Sequence, residues 1–430
     1  MSVPIDWSRP EGASIDVAVV RDQADEPAHK VGTLISLAGG PGTSGVDEIM
    51  RGDKFSAELR ARFDIVGFDP RGVRRSHPLQ CDAGLAMTRP GMVPDTGAKL
   101  DEVRSYTRKL ADTCRRYTGP LIDHLDSMSV ARDIEAIRAA LGVDQISVYS
   151  RSYGTLAAQA YAESFPQRLR ASVLDSVDDH SLDGAAFMAS EARAGEDTFT
   201  EFASWCARDE QCVLHDADVR GTYGELYDRA ARGELRDPIA PDKPLGPLEL
   251  SMKVTHRLYR PEWSRLATEL HALLDQPTGT PIQPPPPTLR GEPTPMAELI
   301  VCFDWNFDIH DQRDWLRLWR EQNDNAPTLR AHFAWGAGSI CSGWPSEPAN
   351  PPHPPANQSG PPILILTSRH DPATPNEWAR QVAAQTHRAT LLTYAGWGHG
   401  IYDRTPCTTN ATDRYLIDGT IPAPVSCPAT

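Results

Sequence analysis

Residues 146–156, I-S-V-Y-S-R-S-Y-G-T-L, constrain the fold more than any other stretch. They read as a buried strand that breaks into a tight turn at a serine and leaves it as a helix. Ile146, Val148 and Tyr149 are the β-branched and aromatic residues of such a strand, and residues 156–165 form a good helical run stopped by Pro166. A serine at the apex of strand, turn and helix sits on strained backbone that exposes its hydroxyl, which is the arrangement of a nucleophile elbow. The pattern here is Ser-x-Ser-x-Gly, with Ser150 in the place usual for glycine and Ser152 as candidate nucleophile. A small residue suits a crowded turn, so Ser150 is compatible with it. A structural strand-turn-helix could carry the same letters, so the rest of the chain must supply the serine's partners.

The acid and base of an elbow serine follow it in the chain, each after a late strand. Residues 362–368, P-I-L-I-L-T-S, are strand-like and run into Arg369, His370, Asp371 and Pro372. Asp371 therefore lies at the carboxyl end of a strand, the edge on which open α/β sheets build their sites. Residues 389–394, A-T-L-L-T-Y, are the next strand candidate, and His399 follows between two glycines. A neutral His399 can take the Ser152 proton while Asp371 fixes its tautomer; His370 reads as a loop residue. Upstream, the short strand at 34–37 leads into A-G-G-P-G-T-S-G, residues 38–45. The Gly40 and Tyr153 backbone N–H groups are the candidate oxyanion hole. As a dinucleotide fingerprint that loop fails on glycine spacing and on Pro41. This chemistry calls for no cofactor and no metal, and the absence of C-x-x-C spacing argues against zinc.

The chain resembles the secreted actinobacterial proline iminopeptidase and tripeptidyl aminopeptidase branch of the α/β-hydrolases. The matching words are V-P-I-D-W at 3–7, A-G-G-P-G-T-S-G at 38–45 and F-D-I-V-G-F-D-P-R-G-V-R-R-S at 63–76. They continue with A-R-D-I-E-A-I-R-A-A-L-G at 131–142, S-Y-G-T at 152–155, D-P-A-T-P at 371–375 and G-H-G at 398–400. The resemblance implies Ser152 as nucleophile, Asp371 as acid and His399 as base. It implies an α/β-hydrolase fold, a mostly parallel sheet flanked by helices, with an inserted, mainly helical cap. Two departures stand beside the nucleophile: Ser150, and Arg151 where the family has a small or apolar residue. Ala38 and Thr43 replace residues that are commonly proline and glycine.

Strand candidates at 15–21, 34–37, 63–69, 146–149 and 171–175 precede a long stretch without strand pattern. Helices are expected at 129–141, around Phe199, at 261–274 and at 295–307. The expected division is a core of residues 1–179 and 362–430 and a cap of 180–361. Two proline-rich segments, 276–295 and 345–362, fall in the cap, and Pro284 to Pro287 favour an extended conformation. An SH3-type ligand is one reading of them and a stiff surface loop the preferred one. Cap carboxylates hold the substrate amine in exopeptidases of this group, so Glu298 and Asp304 are candidates, although a helix carboxylate is commonly only solvated. Arg151, Trp344 and Trp397 are further candidates for substrate binding, with Trp305 a possible subsite wall; tied or buried side chains are the plain alternative for each.

A formal charge of −15 and a pI near 5.3 make a poor nucleic-acid binder. No stretch approaches the roughly 20 apolar residues that span a membrane. Eight cysteines leave their connectivity open on sequence alone. The resemblance implies sequential pairing, Cys81 with Cys114, Cys206 with Cys212, Cys302 with Cys341 and Cys407 with Cys427; buried free thiols are the alternative. If the disulfides form, the expected location is secretion or the cell envelope. Because Met1 and Ser2 run straight into V-P-I-D-W, either a signal segment was removed or the protein is a cytoplasmic relative. Oligomeric state is not legible. The expected function is a serine exopeptidase acting on small peptides. An esterase, lactonase or acyl-transferring enzyme is the alternative on the same scaffold, and a non-catalytic binding protein is disfavoured by the complete set of candidate residues.

Overall fold

The computed structural model describes residues 1–282, 291–356, 359–423 and 425–429. Its centre is a sheet whose strands, in chain order, are β1 (Val19–Asp22), β2 (Gly32–Leu37), β3 (Phe63–Phe68), β4 (Ile146–Arg151), β5 (Leu169–Asp175), β6 (Ile363–His370), β7 (Ala389–Trp397) and β8 (Ser426–Cys427). The spatial order is β8-β7-β6-β5-β4-β2-β3-β1. Every neighbouring pair is parallel except β1 with β3. This is the α/β-hydrolase sheet foreseen from the sequence.

The strand-forming residues explain the layering. A parallel sheet covered on both faces demands apolar residues on each side of every strand, and successive side chains alternate between them. On β2, Ile35 and Leu37 join one core while Leu34 joins the opposite one, and on β4 Val148 and Tyr149 divide the same way. Helix α1 (Gly45–Met50) follows β2, α2 (Leu100–Thr118) and α3 (Ser127–Ala140) precede the elbow strand, and α4 (Gly154–Ser164) follows it. Helices α3 and α4 pack against each other on one face of the sheet.

Residues 15–21 are not one strand. Ser14–Asp16 pairs with Ser2–Pro4 in a separate hairpin, and only Val19–Asp22 joins the sheet. The interruption falls at Val17, which is fully buried, and Ala18, whose N–H donates to Ser76 Oγ at 2.9 Å. The expected helix at 295–307 is also different. Pro293–Pro295 pairs with Gln80–Asp82, and a 3-10 helix covers Ala297–Phe303.

Strands β5 and β6 are hydrogen-bonded neighbours, yet residues 176–362 lie between them in sequence. That insertion carries α5 (Gly184–Cys206), α6 (Val219–Ala231), α7 (Pro247–Leu258), α8 (Trp263–Leu274), α9 (Gln312–Asn325) and α10 (Phe333–Cys341). Helices α5 to α8 enclose a hydrophobic cluster of their own, so the insertion does not depend on the sheet for its whole core. Residues 80–118, although they precede the elbow, also pack on it: α2 lies against α9 and α10, Trp335 Nε1 donates to the Met92 carbonyl at 2.7 Å, and Trp319 Nε1 donates to Asp95 at 2.9 Å. Four disulfides join the cysteine pairs in sequential order. The Pro284 to Pro287 run lies outside the described residues.

Candidate active site

Ser152 stands at the end of β4 with φ +55°, in the left-handed region that a residue with a side chain occupies only under constraint. The constraints are visible. Its N–H donates to the Asp175 carbonyl at 2.9 Å, and the fully buried Ser150 donates its hydroxyl to the Val173 carbonyl at 2.9 Å, which fits this residue to the crowded turn. The loop after β2 then closes on the elbow from the other side. A Cβ on Gly39 would lie 2.7 Å from the Ser152 Cβ, and one on Gly154 would lie 2.5 Å from the Ala38 carbonyl oxygen. Glycine at these two positions lets both backbones reach the nucleophile.

His399 Nδ1 lies 3.0 and 3.1 Å from the two carboxylate oxygens of Asp371. Asp371 also accepts from Ser176 Oγ and from the amides of Ala373 and Thr374, each at 2.9 Å. Burial works against its charge, but His399 and those amides hold its carboxyl below the ordinary value, so it stays ionised and Nδ1 donates to it. That leaves the other ring nitrogen for the cavity, which Ser152 and His399 line together. The Tyr259 ring packs against the imidazole at 4.8 Å, and the backbone N–H of His399 donates to the Tyr259 carbonyl at 2.9 Å.

The Gly40 and Tyr153 amides reach no acceptor among the described residues, and both residues line the same cavity. Two unpaired N–H groups beside a serine are what an oxyanion requires. The Tyr153 hydroxyl is anchored by Asp304 at 2.5 Å. Asp304 itself is fully buried, accepting from the Ser127 amide and hydroxyl and from Asn350. It is therefore not an amine-binding residue, as expected above, but the post that orients the Tyr153 turn. A buried carboxylate with four donors has no lone pair to spare for a ligand.

The cavity over Ser152 measures about 510 Å³ and is lined by core loops and by the insertion. Of the expected binding residues, Arg151 and Glu298 line it and Trp344 and Trp397 do not. Trp344 packs edge-on against Phe303, while Trp397 packs on Trp263 and donates to Glu201 at 3.0 Å. Trp305 does form part of the wall. Arg151 is tied to Glu48 at 2.7 Å, and Glu48 also takes Lys54. His370 pairs with Asp197 at 2.7 Å.

Three acids not singled out in the sequence line the cavity, the buried Asp178 and Glu191 and the more exposed Asp403. Asp178 is 7% exposed, and its carboxyl accepts no hydrogen bond among the described residues. Burial, reinforced by Asp371 and Glu191 and opposed by His399, raises it to about 7. Glu191 on α5 is also buried; one of its oxygens accepts from the Ala334 amide at 2.8 Å, with His332 Nδ1 at 3.4 Å. The one available signal for Asp178 was its place just beyond the carboxyl end of β5, in D-S-V-D-D.

A family model described as TAP-like protein matches residues 326–427. Over 98% of its length the chain is 30% identical to carboxylesterase B of Mycobacterium tuberculosis, spanning 84% of that protein. It is 29% identical to serine protease Hip1 of the same organism, across 98% of this chain and 85% of that protein. It is 28% identical to tripeptidyl aminopeptidase of Streptomyces lividans, across 97% of this chain and 81% of that protein.

Proposed function

The chain belongs to the TAP-like family of α/β-hydrolases and is a serine hydrolase, and from that premise we propose that it is an exopeptidase removing N-terminal residues or short peptides. The observation that carries this reading is Asp178, a buried carboxyl that accepts no hydrogen bond among the described residues and lines the catalytic cavity together with Glu191. An unpaired acid in such a place is costly unless a ligand cation satisfies it, and a peptide α-ammonium is the cation that an exopeptidase must recognise. The relatives named a serine protease and a tripeptidyl aminopeptidase support it.

In this mechanism Ser152 attacks the scissile carbonyl as His399 takes its proton, and Asp371 holds the imidazole and stabilises the cation formed. The Gly40 and Tyr153 amides bind the oxyanion. His399 then protonates the leaving nitrogen, and water releases the acyl group from Ser152. Asp178 and Glu191 set the distance between the amine and the serine, and with it the length of the fragment released. Residues 180–361 act as the cap that supplies Glu191 and closes the site. The four disulfides suit an oxidising compartment, secreted or in the cell envelope.

A panel of peptide amides with free and N-acetylated termini, run beside p-nitrophenyl esters, tests the reading. The free-amine peptides should be cleaved with kcat/KM about 100-fold above their acetylated forms, the scale of a buried ion pair of about 3 kcal/mol. Asp178→Asn should shrink that ratio. Turnover of esters alone would favour the chemistry named in the carboxylesterase relative.

A further inference from the structure

We propose that Arg151 is the carboxylate subsite of this enzyme, binding the C-terminal carboxylate of a short leaving peptide so that the substrates are free oligopeptides held at both ends. The proposal deepens the exopeptidase reading and rests on it for the class of substrate.

Arg151 is underpaired. One guanidinium nitrogen, Nη2, donates to Glu48 Oε1 at 2.7 Å, but the other Glu48 oxygen is taken by Lys54, so one carboxylate serves two cations. Nε and Nη1 of Arg151 reach no acceptor among the described residues, and its side chain is 31% exposed into the catalytic cavity. Asp175, a further acid nearby, is already saturated by the Tyr149 hydroxyl and the Ile401 and Tyr402 amides. Asp403, more than half exposed, has Arg260 as its ion-pair partner at 3.6 Å. Arg404 spends its guanidinium on the carbonyls of Gly400, Tyr259 and His399. None of these groups takes the remaining donors of Arg151, and a guanidinium with a free edge is the group that binds a carboxylate in a fork.

The placement agrees with the order of the reaction. A Cβ on Gly400 would lie 2.8 Å from Arg151 Cδ, so the arginine stem packs against the turn that carries His399. His399 protonates the leaving nitrogen, so the leaving half passes along this turn. Asp178 and Glu191, the acids assigned to the amine, belong to the loop after β5 and to α5 and carry the opposite charge. Two buried acids in one part of the cavity and a guanidinium with free donors beside the leaving group match a zwitterionic peptide whose carboxylate lies close behind the scissile bond.

The experiment compares matched pairs differing only in the terminal group of the leaving half. Peptides ending two residues after the scissile bond are offered as free acids and as C-terminal amides, and the acetyl ester of 4-hydroxybenzoate is offered beside that of 4-hydroxybenzamide. The wild-type enzyme should prefer each acid by about tenfold in kcat/KM, expressed in KM, as one charge-assisted pair supplies. Arg151→Gln should bring the ratio close to unity, and Arg151→Lys, which keeps the cation, should retain part of it. The ratio compares two substrates on one protein, so a general disturbance of the elbow cancels from it. No acid preference in the wild type, or a preference undiminished in Arg151→Gln, would overturn the subsite. If the ester pair shows the preference while no peptide is cleaved, the subsite stands and the exopeptidase reading fails.

Discussion

At the scale of single residues, the left-handed turn at Ser152 works only because two backbones pass within contact distance, and Gly154 lets them. An alanine methyl there would press on the Ala38 carbonyl, which is backbone and cannot rotate away. Gly154→Ala should displace the Gly39–Gly40 loop and lower kcat/KM at least about tenfold, at a stability cost of about 1–3 kcal/mol, read by kinetics beside thermal melts. Asp178 gives a pH signature. Its carboxyl is raised to about 7, so it is neutral below that pH and charged above it. KM for free-amine peptides should rise as pH falls through about 7, relative to an ester lacking the amine. The same shift bears on stability: ionising Asp178 is harder in the folded state, so folding loses free energy as pH rises from its ordinary value of 3.8 to about 7. Asp178→Asn should accordingly melt higher than wild type at pH 8 and show no such gain near pH 3. Ser152, Asp371 and His399 were legible in the sequence because each directly follows a strand of recognisable pattern. Asp178 was not, since three aspartates crowd the end of β5 with three fates. Asp175 turns to Tyr149, Asp179 to Ser181, and only Asp178 to the cavity.

At the scale of elements, several family words sit away from the chemistry and are structural. Arg71, from D-P-R-G, forms a two-pronged pair with Asp133 from A-R-D-I, at 2.7 and 2.5 Å with both side chains fully buried. The remaining guanidinium donors reach the carbonyls of Pro4, Ile5 and His124, and Trp7 Nε1 donates to the same Asp133 at 3.0 Å. The N-terminal hairpin, the loop after β3 and helix α3 are thereby knotted together. Arg71→Met leaves Asp133 buried without its cation, so it should cost about 3–5 kcal/mol in denaturant melts. Helix α3 was readable from its apolar spacing. The 295–307 stretch was not, because the apolar run of Ala297–Phe303 suits either helix type and the strand just before it, Pro293–Pro295, pairs with Gln80–Asp82 far upstream.

At the scale of the whole molecule, the insertion leaves and returns at adjacent strands, so its entry and exit are fixed by the sheet while its own cluster keeps its helices together. That layout was visible as a lapse in strand pattern. The packing of residues 80–118 onto the insertion was not, because it rests on long-range contacts such as Trp335 with Met92. Disulfides reinforce the layout unequally. Cys302–Cys341 closes a separation of 39 residues and Cys206–Cys212 one of 6. On loop entropy, removing the longer link should cost about 1.5 kcal/mol more than removing the shorter, measured on the paired Cys→Ser variants. The central claim, that Ser152 cleaves peptides from a recognised free N-terminus, is tested most directly by following one decapeptide and its N-acetylated twin by mass spectrometry with the wild-type protein and Ser152→Ala. The account predicts N-terminal fragments from the free peptide alone, and none with Ser152→Ala. Internal cleavage of the acetylated peptide, or undiminished cleavage by Ser152→Ala, would contradict it.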